Sequence, residues 1–141
     1  MDFQEKFSNV SNMVSDFYQN QMLDYLKFVL YGTEDRKLVE EKEQALRDLM
    51  LGMHEISRKN FETATGFMNR ALNLFSSKKD DLHTAFSEFF LGEIYRMKED
   101  FSKAQTYYQK AFDIFSAKKN RMADEVEEKI KEMKSAGSKK A

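Results

Sequence analysis

The side chains able to do chemistry are few here, and their spacing does not assemble them. His54 and His83 have no metal-ligand spacing between them and no His-Glu-x-x-His pattern, so both read as ordinary surface or boundary residues. The chain has no Cys, which excludes disulfides and thiolate metal sites and makes a reducing compartment the natural setting. The acidic group at 124–128 reads as a solvated helix face rather than as paired catalytic carboxylates. No Gly-rich phosphate loop is present, and nothing sets a nucleophile beside a base. The chain therefore reads as a non-enzyme that uses no metal and no cofactor. A net charge of −1 supplies no basic face for phosphate neutralisation, so nucleic acid is not an expected partner. The pairs Lys78–Lys79 and Lys118–Lys119 fall where helices should end, and cations there complement the helix dipole.

Composition points to the elements that carry these residues. Zero Pro, five Gly and 33% charged residues in 141 describe one all-helical domain. Residues 1–31 lack a basic leader followed by an unbroken apolar run. The most apolar stretch, 22–31, is too short to span a bilayer and contains Asp24 and Lys27. The expected location is the cytoplasm, without membrane insertion.

The chain nearly repeats itself at an offset of 40 residues. Aligning 49–79 with 89–119 gives nine identities in 31 positions, against about two expected from ordinary residue frequencies. They include Gly52/Gly92, Phe61/Phe101, Ala64/Ala104, Ala71/Ala111 and Phe75/Phe115. A fixed period of this size signals stacked helical hairpins, none of which buries its apolar face alone. The pattern predicts helices over 34–58, 61–77, 82–97 and 101–116. Turns fall at Lys59–Asn60 and Glu99–Asp100, a polar break at 78–81, and a capping helix runs from Asn120 to about Met133. Gly52 and Gly92 lie inside helices as packing residues. The expected organisation is an amphipathic region at 1–32, two hairpins with a capping helix at 33–134, and a disordered tail at 135–141.

The second unit reads Leu91-Gly92-x-x-Tyr95, then Ala104-x-x-x-Tyr108-x-x-Ala111. In this it resembles the tetratricopeptide repeat family, in its long-repeat variant of about 40 residues found in scaffolds of G-protein signalling and cell polarity. The first unit keeps Gly52, Ala64 and Ala71 but has Glu55 for Tyr95 and Met68 for Tyr108. The resemblance implies a stack of antiparallel helical hairpins that binds other proteins. By the family register the groove-facing positions are Leu46, Leu49, Met53 and Ile56, then Phe86, Phe89, Glu93, Arg96 and Met97, with Phe90 beside them. Such a groove is mostly apolar. It is either a binding strip for a partner helix or peptide, oriented by Glu93 and Arg96, or it is core beneath an N-terminal helix.

Phe3, Phe7, Val10, Val14 and Phe17 keep heptad-like spacing, continued one residue later by Tyr18, Met22, Tyr25 and Val29. This stripe is expected to pair two copies of the chain, leaving the groove for a partner. A small repeat domain behind a dimerising helix is also loosely similar to secretion chaperones. Folding back in cis and holding a client segment are the other open possibilities.

Overall fold

The computed structural model describes residues 36–140, with side chains over 40–137. Five helices follow one another: α1 Arg36–Ser57, α2 Phe61–Ser77, α3 Asp81–Met97, α4 Phe101–Ala117 and α5 Met122–Lys140. Each packs against the next, and α1 also meets α3 lightly. The result is two antiparallel hairpins and a capping helix, as the repeat predicts. The expected cap at Thr33 and the stripe from Phe3 to Val29 lie outside the described residues.

One turn is used four times. Lys59, Lys79, Glu99 and Lys119 all adopt left-handed backbone, with φ of 63°, 57°, 62° and 54°. The next residue of each, Asn60, Asp80, Asp100 and Asn120, donates its N–H to the carbonyl of Glu55, Phe75, Tyr95 and Phe115, each at 2.9 Å. This is a Schellman closure, which satisfies carbonyls left open at a helix end. The same residue opens the following helix. Asp80 and Asp100 accept from the N–H of His83 and Lys103, each at 3.2 Å, and Asn120 accepts from Met122 at 2.9 Å. Asn60 instead donates its amide to Glu55 at 2.7 Å. The underlying period is thus 20 residues, one helix and its turn, inside the 40-residue hairpin repeat.

The small residues sit where helices cross. A Cβ added to Gly92 would lie 2.7 Å from the Tyr108 ring, and one added to Gly52 would lie 2.7 Å from the Met68 terminal methyl. Met68 and Tyr108 are equivalent positions, so one crossing is built twice with different fillers. Ala64, Ala71, Ala104 and Ala111 are fully buried beside them. Ion pairs repeat as well: Lys78 with Glu41, and Lys118 with Asp81 at 3.6 Å, tie the end of each second helix to the start of its first. These lysines bond to carboxylates, while Lys79 and Lys119 form the left-handed turns.

Two expectations need correction. The tail expected to be disordered from 135 continues α5 as helix through Lys140, because no Pro interrupts it and Gly137 costs only about 1 kcal/mol. His83 is not a surface residue: it is buried, stacked on Phe75 at 4.7 Å and bonded through Nδ1 to Asp80 at 2.8 Å. It is drawn inward because α3 has buried residues around nearly its whole circumference.

Gly92→Leu should cost about 1–3 kcal/mol by overpacking against the rigid Tyr108 ring, while Gly52→Ala costs less because the Met68 chain can swing away. Thermal melts of both variants check this; an unchanged melting temperature for Gly92→Leu would contradict the crossing. Glu99→Gly should raise the melting temperature by a few degrees, since left-handed backbone costs a side chain about 1–2 kcal/mol.

Candidate functional site

Equivalent positions run along one stripe of each hairpin's first helix: Leu46, Leu49, Met53 and Ile56 on α1, and Phe86, Phe89, Glu93 and Arg96 on α3. Steps of three and four residues keep each set on one helix face. The α1 set is wholly apolar and 0%, 1%, 3% and 0% exposed in that order. Phe86 and Phe89 are 3% and 1% exposed. Phe86 meets Phe115 edge-on at 4.9 Å, and Phe89 tilts against Tyr108 at 5.7 Å. Phe90 is buried edge-on to Phe89, and Met97 is half-buried. Among the described residues Leu51 alone of the large apolar side chains is exposed, at 45%. The strip is therefore buried in the folded chain.

Glu93 occupies the place of Met53 and is the most heavily engaged polar group. Its Oε1 accepts from the Tyr108 hydroxyl at 2.7 Å and lies 3.4 Å from Lys129 Nζ. Its Oε2 accepts from the Arg96 guanidinium at 2.6 Å, and Arg96 Nε donates to the Tyr108 oxygen at 3.2 Å. Both carboxylate oxygens are spent inside the fold, so the two charges expected to orient a partner hold each other. Burial by itself would raise the Glu93 carboxyl. Lys129 and Arg96, with hydrogen bonds from Arg96 and Tyr108, outweigh it and hold the carboxyl below its ordinary value. The same burial, reinforced by Glu93, pushes the Tyr108 phenol well up and keeps it a donor.

Lys129 and Tyr108 were not legible as partners of Glu93. Lys129 lies among exposed acidic residues of α5 yet is 4% exposed, because its long stem follows Val126 and Ile130 inward. A second set repeats on α1–α2 and α3–α4. Asp48 is buried and bonded to Arg70 at 3.2 Å, with Arg70 4.9 Å over the Phe67 ring. Forty residues on stand Glu88, Lys110 and Tyr107, with Lys110 5.3 Å over Tyr107. The signal was conservative exchange at equivalent positions, which a count of identities passes over. Glu88 Oε2 makes no hydrogen bond. Burial pushes its carboxyl up to about 6, helped by Asp113 and opposed by Lys110.

Outside the stripe, a cleft of about 440 Å³ follows α4 along Gln105, Gln109 and Asp113. Another of about 340 Å³ opens at the start of α3, among Lys42, Asp80 and Lys118. Neither contains a stripe residue. Among the described residues no group of three His, Cys, Asp or Glu side chains could hold a metal ion. No described helix is long and apolar enough to cross a membrane.

The two displaced carboxyls give opposite pH dependences. Glu93 is depressed, so its stabilisation is present at neutral pH and is lost as pH falls through its folded value, below about 4.5. Glu93→Gln should lower the melting temperature at pH 7, with the difference from wild type shrinking at acid pH. Glu88 is raised, so its contribution is present below its unfolded value and is lost as pH rises through about 6. Relative to wild type, Glu88→Gln should therefore lose its disadvantage, or gain, as pH rises from 5 to 7. Melts of the three proteins across pH 3–8 read both signs.

The stack, its Gly and Ala crossings and its repeat length converge on one family. A family model described as tetratricopeptide repeat matches residues 43–117, more than half of the chain. No curated protein and no solved structure matches it. Tetratricopeptide repeats generally mediate protein–protein interaction and are typically non-catalytic. By sequence match and by architecture alike, this chain belongs to the tetratricopeptide repeat family.

Proposed function

We propose that this chain is a non-catalytic docking module whose inner face, the α1 stripe continued by Phe86 and Phe89, receives an amphipathic helix or peptide of another protein. The observation carrying the reading is that four equivalent positions on α1 are all apolar where α3 has Glu93 and Arg96. A helix laid along this face would present apolar residues at i, i+3, i+4 and i+7, each matched to one step of the stripe. Met53 is suited to such a site because its unbranched thioether adapts to different shapes. The internal Glu93–Arg96 pair leaves recognition to shape and burial, with charge confined to the rim. Because the stripe is buried in the free chain, docking has to replace the side chains that cover it.

The test is selection of 20-residue peptides from a displayed random library against the full chain. Recovered sequences should carry apolar residues at helical spacing and lose at least tenfold in affinity for a Met53→Lys variant that keeps its helical circular dichroism. Recovery only of peptides that bind Met53→Lys equally well would contradict the inner-face reading.

A further inference from the structure

Each hairpin also has an outer edge, on the side of its first helix away from the inner stripe, and the two edges are filled differently. On α1 and α2 the edge holds two acids against two arginines: Asp48, Glu55, Arg58 and Arg70, with Phe67. Asp48 is bonded to Arg70 at 3.2 Å, and Glu55 accepts the Asn60 amide at 2.7 Å. On α3 and α4 the same positions hold Glu88, Tyr95, Lys98, Lys110 and Tyr107, with Lys103 added where α2 has Thr63. Tyr95 thus replaces the second acid. Its ring stacks on Tyr107 at 5.6 Å, with 3° between the planes. Lys98 and Lys103 lie 5.6 and 5.3 Å from the centre of the Tyr95 ring, and Lys110 lies 5.3 Å from that of Tyr107.

The stacked rings gather three exposed ammoniums, and among the described residues none of the three makes an ion pair. Lys118, Lys129 and Lys131, by contrast, each have a carboxylate. An ammonium already held over a ring loses little further freedom when an anion reaches it. Glu88, the acid of this edge, is half-buried and pairs with none of the lysines. The cleft along α4 shares Lys110 with the patch and is otherwise lined by Ser102, Gln105, Thr106, Gln109 and Asp113. Its amides and hydroxyls can bond a peptide backbone. Glu88 and Asp113 also keep the positive patch short. Six residues of extended peptide span about 20 Å, whereas a long polyanion would run past the lysines onto a chain of net charge −1.

We propose that the α3–α4 edge centred on Tyr95 and Tyr107 docks a short acidic segment of a partner protein, its carboxylates on Lys98, Lys103 and Lys110. Charge complementarity selects this partner and steers its approach, so binding weakens as salt rises. Tyr95 lies about 100–180° round α3 from the residues of the inner stripe. The two surfaces are therefore separate, and a result at one leaves the reading of the other unchanged.

The test titrates fluorescein-labelled hexa-aspartate into the full chain at low ionic strength and records the tyrosine ring signals by NMR. The Tyr95 and Tyr107 signals should shift as the peptide binds. Lys103→Glu and Lys110→Glu should each weaken binding about fivefold or more, while Lys134→Glu, the same charge reversal on α5, leaves it within about twofold of wild type. Helical circular dichroism checks that each variant is folded, and Lys103→Gln serves in place of a Lys103→Glu chain that is not. Absence of binding, or binding that leaves both ring signals in place, would overturn the proposal. So would equal weakening by Lys134→Glu, which would make the attraction one of net charge alone. A deoxythymidylate hexamer or phosphatidylserine vesicles bound more tightly than the peptide, with the same sensitivity to Lys103→Glu, would give the edge to a nucleic acid or a membrane and overturn the peptide assignment.

Discussion

One turn, repeated at a spacing of 20 residues, sets the frame of this fold. A left-handed residue at 59, 79, 99 and 119 ends a helix, and the residue after it both closes that helix and opens the next. Because one residue closes a helix through its backbone N–H and also stands at the N-cap of the next, the connection has no slack, and each helix reverses onto its predecessor. Helices of 17 residues result for α2, α3 and α4. The equal spacing of the turns brings Gly52 opposite Met68 and Gly92 opposite Tyr108 in the same geometry. The lysine-to-acid pairs at the hairpin ends recur for the same reason.

On that frame the two hairpins differ in the residue that fills the crossing. In the second, a large Tyr fills the crossing and its hydroxyl requires a partner in the interior. Glu93 supplies one, and its charge in turn requires Arg96 and Lys129. A buried carboxylate with both oxygens paired is stabilising only while all its partners remain, and removing one leaves a charge whose desolvation is unrelieved. This ties the capping helix to α3 in one register. In the first hairpin, Met68 fills the crossing without a polar atom, so Met53 stands where Glu93 would and the stripe of α1 is wholly apolar. The stripe of the first hairpin is therefore apolar throughout, and that of the second carries an internal ion pair.

Much of the fold was legible because it repeats. The Gly, Ala and Phe identities at an offset of 40 located the hairpins and their crossings, and the family match over 43–117 agrees with that reading. The finer period of 20 was hidden because Lys-Asn, Lys-Asp and Glu-Asp are different words for one backbone shape. The interior polar groups were less legible. His83, Asp48 and Lys129 are residue types that belong at the surface, and only the arrival of Asp80, Arg70 and Glu93 from other turns or helices admits them to the interior. Periodicity reports which face of a helix is apolar, but not which polar side chain will find a partner there. The inner-face residues themselves came from the family register, and their burial could not be read from the sequence, because it depends on what lies across from them.

The central claim is that the inner face of α1 and α3 accepts an amphipathic helix. The most direct measurement is calorimetric titration of a synthetic amphipathic peptide, taken from the displayed-library selection, into the full-length chain. The account predicts binding at one peptide per chain, with the negative heat-capacity change of apolar burial, abolished by adding Met53→Lys. A folded chain that takes up no peptide, or one that binds it equally well with Met53→Lys, would contradict the account.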